Sequence, residues 1–504
     1  MSADRRKFLK YIGAVGVAAA AGVVGYEALL NTPGTPTTSK RTNSTTTLPP
    51  TTTTTTPTSS ISGADWTPDY SEFLKWLQGV SKPYRGKTLN LSLESEPFYL
   101  GVQSRDPDFY LASGINNSYN IQPYSLQLST VSLMVNTSAP TYDAFTVDHQ
   151  DVAEFKDYIL SPTDLAEKYP DLTYENLNPQ DFYGLPWSVM AVYPPDKSYN
   201  YGGSSPGTVH FIPGNSPVTV QFYRNDLYQA QGLTPAKTWD DYFNNVKATN
   251  QTHPTIRYGC VDMASFSVSV VQEFLNHLKS FGGDLWSING NQLTSLIDSD
   301  ASLAALQNMV RLEPYSDTGS AFYTQDNLTS DMAFGVASNC LQFGDYAYYQ
   351  DDKFRSSVVG LVDYAPVPAG PKGSFSTWSG GGLGVSKFSP NPQAAWLWLQ
   401  WATSLGLQEM IALGPYHSFP SRKTVISNSL VQQAIGTTAA RSLQVVEQVW
   451  NANQAVTLTT FPQWWNSLQY ISYYLNNAWQ GINTPQQALT GAAQRVAGLG
   501  PLTF

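Results

Sequence analysis

Carboxylates stand where several short apolar runs stop. Glu94 closes the alternating run "KTLNLSLE", with Glu96 two residues on, and Asp148 closes "YDAFTVD", with His149 behind it. Asp345 and Tyr346 follow "LQFG", and Trp378 opens the glycine-rich stretch "TWSGGG". A carboxylate accepts two hydroxyl hydrogen bonds at once, and an aromatic face covers an apolar C–H surface. This is chemistry for holding a hydroxyl-rich molecule rather than for cleaving one. Glycosidic cleavage needs two carboxylates facing across the bond, and no local motif here selects such a pair. "GSSPG" (203–207) formally matches G-x-S-x-G, but no apolar strand precedes Ser205 and Pro206 follows it directly. It reads as a loop, not a nucleophile elbow.

Composition excludes other classes. The 504-residue chain has only 28 Lys+Arg and a formal net charge of −10, which argues against a nucleic-acid partner and against a highly charged anionic ligand. Its 30 Tyr and 13 Trp suit ligands that offer both apolar faces and hydroxyls. The five His are scattered and no CxxC occurs, so neither a metal-ligand set nor a cofactor motif is present. Cys260 and Cys340 fit two readings, a disulfide in an exported protein or two buried thiols.

"TTFPQWWNSLQYISYYLNNAWQG" (459–481) places two tryptophans side by side behind a helix-opening proline. At 100° per residue, Trp464, Leu468, Ile471, Leu475 and Ala478 share one stripe, with Trp465 at its edge. Periodicity makes Trp464 the packing residue and Trp465 its flank.

The positioning elements are mixed α/β from about Trp66 onward. Residues 69–80 carry Phe73, Leu74 and Leu77 at helical spacing, residues 218–224 read as a strand running into a helix, and residues 391–404 form a helix opened by Pro392. Alternation of strands and helices favours largely parallel, doubly wound sheets, which bind ligands at strand carboxyl ends. Ahead of this unit, Arg5-Arg6 and Phe8-Leu9-Lys10 precede an apolar run from Tyr11, resembling a twin-arginine export signal; the alternative is a membrane anchor (1–30). Residues 31–65 are Thr/Pro-rich, with almost no apolar side chains, and read as a disordered, extended stalk. Six N-x-S/T sequons, at Asn43, Asn90, Asn116, Asn136, Asn250 and Asn327, are compatible with a glycoprotein at the cell surface.

Six ordered stretches resemble the extracellular solute-binding proteins of ABC transporters, the class that contains maltose-binding protein. They are "YGLPWSVMAV" (183–192), "VQFYRNDLYQAQGLTPAKTWDDYFNNVK" (220–247), "FGGDLWSINGN" (281–291), the run from "SVVGLVDYAPVPAG" to the helix "NPQAAWLWLQWATS", "GPYHSFPSRKTV" (414–425) and "PQWW…AWQGINTPQQAL". The resemblance implies a two-lobed type II periplasmic-binding-protein fold over residues 66–504. One lobe would hold about 67–220 and 380–425, the other about 221–379 and 426–504, with a hinge between them. It implies a non-enzymatic, monomeric receptor that closes over a solute, most readily a mono- or oligosaccharide, and delivers it to a membrane permease. The competing classes are a cell-surface glycoside hydrolase and an adhesion protein. Mapped by motif, the expected ligand-binding residues are Trp464, Trp465, Trp378, Asp148, Glu94, Asp345, Tyr346, Phe266 and Trp187. Glu96, His149, Asp262 and Ser265 neighbour them. In the family an aromatic residue just after the C-terminal proline contacts ligand, which pulls Trp464 toward the cleft against the periodicity. Residues 194–217 depart from the pattern and read as an insertion that covers the cleft mouth or decorates the surface.

Overall fold

The computed structural model describes residues 66–174, 178–193, 208–289, 291–435, 441–458, 461 and 464–502. The export signal, the stalk and the 203–207 motif lie outside the described residues. Among the described residues, no helix is long and apolar enough to cross a membrane.

Nine strands matter for the site: β1 (Thr88–Glu94), β2 (Asn116–Gln122), β3 (Ala144–Asp148), β4 (Ile159–Leu160), β5 (Ile212–Pro213), β6 (Thr219–Arg224), β7 (Asn339–Phe343), β8 (Val362–Ala365) and β9 (Gly381–Ser386). The larger sheet runs β2-β1-β3-β9-β4, and β5 also pairs with β9. Leu89, Leu91 and Leu93 of β1 are fully buried. β1 pairs in parallel with β2 and β3, so Glu94 and Asp148 emerge from the same edge. β9 runs antiparallel to β3, with Gly381 opposite Asp148.

The second sheet, β7-β6-β8, is antiparallel throughout. The expectation of largely parallel sheets therefore holds for β1–β3 and fails for β9 and for this sheet. A strand's apolar pattern reports which faces are buried and carries no information on its direction.

Helices close both sheets. The strand-to-helix turn after β1 leads into α1 (Pro97–Ser104), with Glu96 as the residue before it. In the second sheet's region, α2 (Val268–Phe281) is almost wholly buried and packs on α3 (Trp464–Trp479). The α3 stripe is buried as its periodicity requires: Trp464, Leu468, Ile471, Leu475 and Ala478 all sit in one core. Cys260 and Cys340 are buried free thiols, which resolves the choice left open by spacing.

The 194–217 segment is not surface decoration where it is described. Thr208–Val209 pairs with Val192–Tyr193, β5 joins the larger sheet, and Phe211 to Ser216 are buried.

Candidate functional site

The carboxyl ends of β1 and β3 deliver a dense acidic group. Glu94, Glu96 and Asp148 are buried, and each offers an oxygen within 4.8 Å of the others'. Asp151, one turn beyond β3, is buried and accepts from the Tyr124 hydroxyl at 3.1 Å. Asp345, just past β7, comes in from the other sheet and is also buried. Burial alone pushes these carboxyls up; their mutual repulsion adds to it for Glu94, Glu96 and Asp151. Burial raises Asp148 to about 6 and Asp345 to about 7, against hydrogen bonds that hold each down.

Asn215 ties the two sheets together. Its Nδ2 donates to Glu96 Oε2 at 3.3 Å and to Asp345 Oδ2 at 3.4 Å, while its Oδ1 accepts from the Gly381 amide at 3.4 Å. Asp345 is further held by the Phe419 amide at 2.8 Å and by the Ser418 hydroxyl. The turn carrying those donors is anchored by Arg422, whose guanidinium is buried 3.6 Å from Asp181 and lies over the Phe182 ring. The Pro-Ser-Arg motif thus fixes the turn that holds Asp345.

Several polar groups at this edge lack partners. Asp148 Oδ2 accepts from Gln150 Nε2 at 2.9 Å, and its carboxylate shares a hydrogen bond with the Glu94 carboxyl, whose pKa burial raises. The Tyr99 hydroxyl, the Trp378 indole N–H and His149 Nδ1 are buried and unpaired. His149 Nε2 meets the Thr457 hydroxyl at 2.8 Å, and burial lowers its pKa to about 3, so the ring is neutral. The His149 and Trp378 rings lie 4.8 Å apart. An unpaired buried donor or acceptor costs about 1–3 kcal/mol. Three in one place therefore amount to contacts available to a polar guest.

Of the expected residues, Glu94, Asp148, Asp345 and Trp378 are brought together with Glu96 and His149. Tyr346 is buried beside the same acids, Glu96 and Glu94 among its charged neighbours. Trp464 is 1% exposed inside the α2–α3 core, its N–H unpaired, 5.1 Å from the Trp465 ring. Trp465 is half-buried between two cores. Trp187 packs on Phe182 at 5.1 Å. Three others have different surroundings. Phe266 is 55% exposed and packs edge-on against Tyr473. Asp262 turns into the core, accepting from the Cys260 thiol at 3.2 Å. Ser265 bonds its neighbour Ser267 instead.

Tyr99, Asn215 and Ser418 escape a reading of strand ends because none ends a strand. The glycines gave a usable signal. A Cβ on Gly381 would lie 2.2 Å from the Tyr99 hydroxyl, so that glycine is required by Tyr99's approach to Asp148's partner strand.

The family model for bacterial extracellular solute-binding proteins matches residues 112–409. Among characterised relatives, an erythritol/L-threitol-binding protein of Mycolicibacterium smegmatis is 21% identical, covering 68% of this chain and 72% of its own. A probable amino-acid ABC transporter periplasmic-binding protein of Sinorhizobium fredii is 22% identical, covering 70% and 77%. Among solved structures, an ABC transporter solute-binding protein of Agrobacterium radiobacter in complex with ribitol superposes with a TM-score of 0.70 at 20% identity, covering 83% of this chain and 100% of its own. A maltose-bound protein of T. maritima gives 0.69 at 21% identity, covering 82% and 100%. These likenesses carry the two-lobed fold. With the family match spanning most of the folded unit, the chain belongs to the bacterial extracellular solute-binding proteins of ABC transporters.

Proposed function

We propose that this protein captures a hydroxyl-rich solute, a polyol or a mono- or oligosaccharide, between its lobes and delivers it to an ABC permease. The lobes are those outlined by motif, residues 67–220 with 380–425 and residues 221–379 with 426–504. The observation that carries the reading is the set of unpaired buried groups beside the Glu94–Asp148 pair at the ends of β1 and β3: the Tyr99 hydroxyl, the Trp378 N–H and His149 Nδ1. Hydroxyls satisfy both kinds at once, since each donates and accepts. Asp345 and Asn215 supply the contact between lobes that favours the closed state. The polyol and sugar ligands of the structural relatives support the same class. The binding residues are Asp148, Glu94, Asp345, Tyr346 and Trp378, with Trp465 and Trp464 bordering them and Trp187 and Phe266 at the periphery, beside Phe182 and Tyr473. The twin-arginine-like segment exports the chain, and the Thr/Pro stalk holds it outside the membrane.

The test is thermal unfolding of the 66–504 unit across ribitol, mannitol, erythritol, tagatose, glucose and maltose. A binding protein gains RT ln(1 + [L]/Kd), about 2.7 kcal/mol at a hundred times Kd. Stabilisation by one class without turnover is expected. Turnover of the stabilising sugar, or stabilisation by none, contradicts the reading.

A further inference from the structure

The acidic group is short of positive charge. Glu94, Glu96, Asp148, Asp151 and Asp345 are all buried. Among the described residues, every ion pair lies elsewhere, and no Lys or Arg pairs with any of the five. The one imidazole beside them, His149, is neutral. A buried cluster of like charge without a counter-ion is costly. In the solute-free protein protons relieve this cost, which is why these carboxyls are raised; a bound cation would relieve it with the carboxylates ionised.

Geometry says what would. Three oxygens that all lie within 4.8 Å of one another leave a point about 2.8 Å or less from each. That is the distance of an ammonium nitrogen from a carboxylate oxygen, about 2.7–2.9 Å. It also admits a hard divalent cation, about 2.3–2.6 Å for calcium, after a small inward shift. The donors are oxygen only, which excludes a preference for soft metals. Independently of the acids, the Tyr99 hydroxyl is fully buried and unpaired beside the same three, its charged neighbours being Glu96, Asp148 and Glu94. Its position is fixed by contact with Gly381, the residue opposite Asp148.

We propose that the pocket between Glu94, Glu96 and Asp148 takes a compact positive centre, supplied by an ammonium group on the solute or by a divalent cation bound beside it. This rests on the same site as the proposed function but not on the solute being a sugar.

Calorimetry and thermal unfolding at pH 7.5 separate the sources. One arm compares 1-amino-1-deoxy-D-glucitol with D-glucitol, plus methylammonium as the minimal probe. The other adds calcium or magnesium after EDTA treatment, with and without D-glucitol. The amine source predicts at least about tenfold tighter binding of the amino compound than of its hydroxyl twin. The metal source predicts stabilisation by calcium alone, reversed by EDTA. Either effect falls about tenfold or more in Glu96→Gln, which keeps an oxygen for Asn215. Without any cation, Glu96→Gln unfolds no earlier than the parent, since it relieves repulsion; earlier unfolding contradicts the proposal. D-glucitol binding that is indifferent to amine and metal overturns it and leaves the proposed function standing. A positive centre that binds while every neutral polyol and sugar fails does the reverse.

Discussion

Two clusters of buried acids lie in this molecule, and they differ in what surrounds them. At the ends of β1 and β3, Glu94, Glu96 and Asp148 meet unpaired donors, aromatic rings and Asn215 from the neighbouring segment. Under α2, Asp262 and Glu273 are just as buried and also meet unpaired groups, the Tyr242 hydroxyl and His277 Nε2, with Cys260 and Cys340 beside them. His277 Nε2 sits 3.9 Å from Glu273, beyond hydrogen-bond reach, and burial lowers its pKa to about 3. The Trp239 ring stacks on it at 3.9 Å. Burial and raised carboxyl pKa values are common to both clusters. What distinguishes them is place: one lies at strand ends where two sheets approach, the other inside a helix-covered core. Perturbed titration alone points to both with equal force.

The comparison can be broken by substitution. The largest expected effect is on folding. Trp464→Ala should cost about 3–5 kcal/mol of stability, because the ring fills the α2–α3 core. Trp378→Ala should cost a similar amount and also weaken solute binding, its N–H being one of the unpaired groups. Denaturant unfolding and calorimetry on both variants separate the two outcomes; equal affinity in both would remove Trp378 from the site.

Asp148→Asn comes next. It should lower solute affinity by about 2–3 kcal/mol with stability unchanged or slightly raised. Glu273→Gln should leave affinity unchanged and raise stability where rising pH forces the buried carboxyl to ionise, since burial raises its pKa. Loss of binding in Glu273→Gln would erase the distinction drawn between the clusters.

The least specific effect is the pH slope of stability, because many groups share it. Asp148 and Asp345 have folded pKa values raised to about 6 and about 7, and Glu94, Glu96 and Asp151 are raised as well. A raised carboxyl pKa gives stability that is present below the ordinary carboxylate range and lost as pH climbs through the folded value. Solute-free protein should therefore melt progressively earlier between pH 4 and pH 7, by this principle about 1 kcal/mol per unit for each group while it titrates. Asp262, raised to about 6, and Asp331, raised to about 7, contribute to the same slope. Asp148→Asn should flatten part of it and Glu273→Gln another part, and only the first should also change solute affinity.

How far the site could be read from residues depends on which signal carried each part. Glu94 and Asp148 were legible because alternating Leu residues and a short apolar run announce strands, and strand ends are where such sheets present ligands. The α3 stripe was legible from its period alone. Asn215 was not, because its segment departs from the family pattern and its role depends on two residues, Glu96 and Asp345, far away in sequence. Tyr99 looked like any helix residue after a proline; only the contact with Gly381 shows where its hydroxyl lies. The surroundings of Phe266 and Asp262 were not legible for a related reason. A loop residue's direction is set by tertiary neighbours, here Tyr473 and Cys260, and leaves no local trace.

The central claim is that solute is held at the ends of β1 and β3. Its most direct test is isothermal titration of the parent protein, Asp148→Asn and Glu273→Gln with the solute that stabilises the parent. The account predicts saturable one-to-one binding that falls at least about thirtyfold in Asp148→Asn and is unchanged in Glu273→Gln. Undiminished binding in Asp148→Asn, with its fold intact, would contradict it.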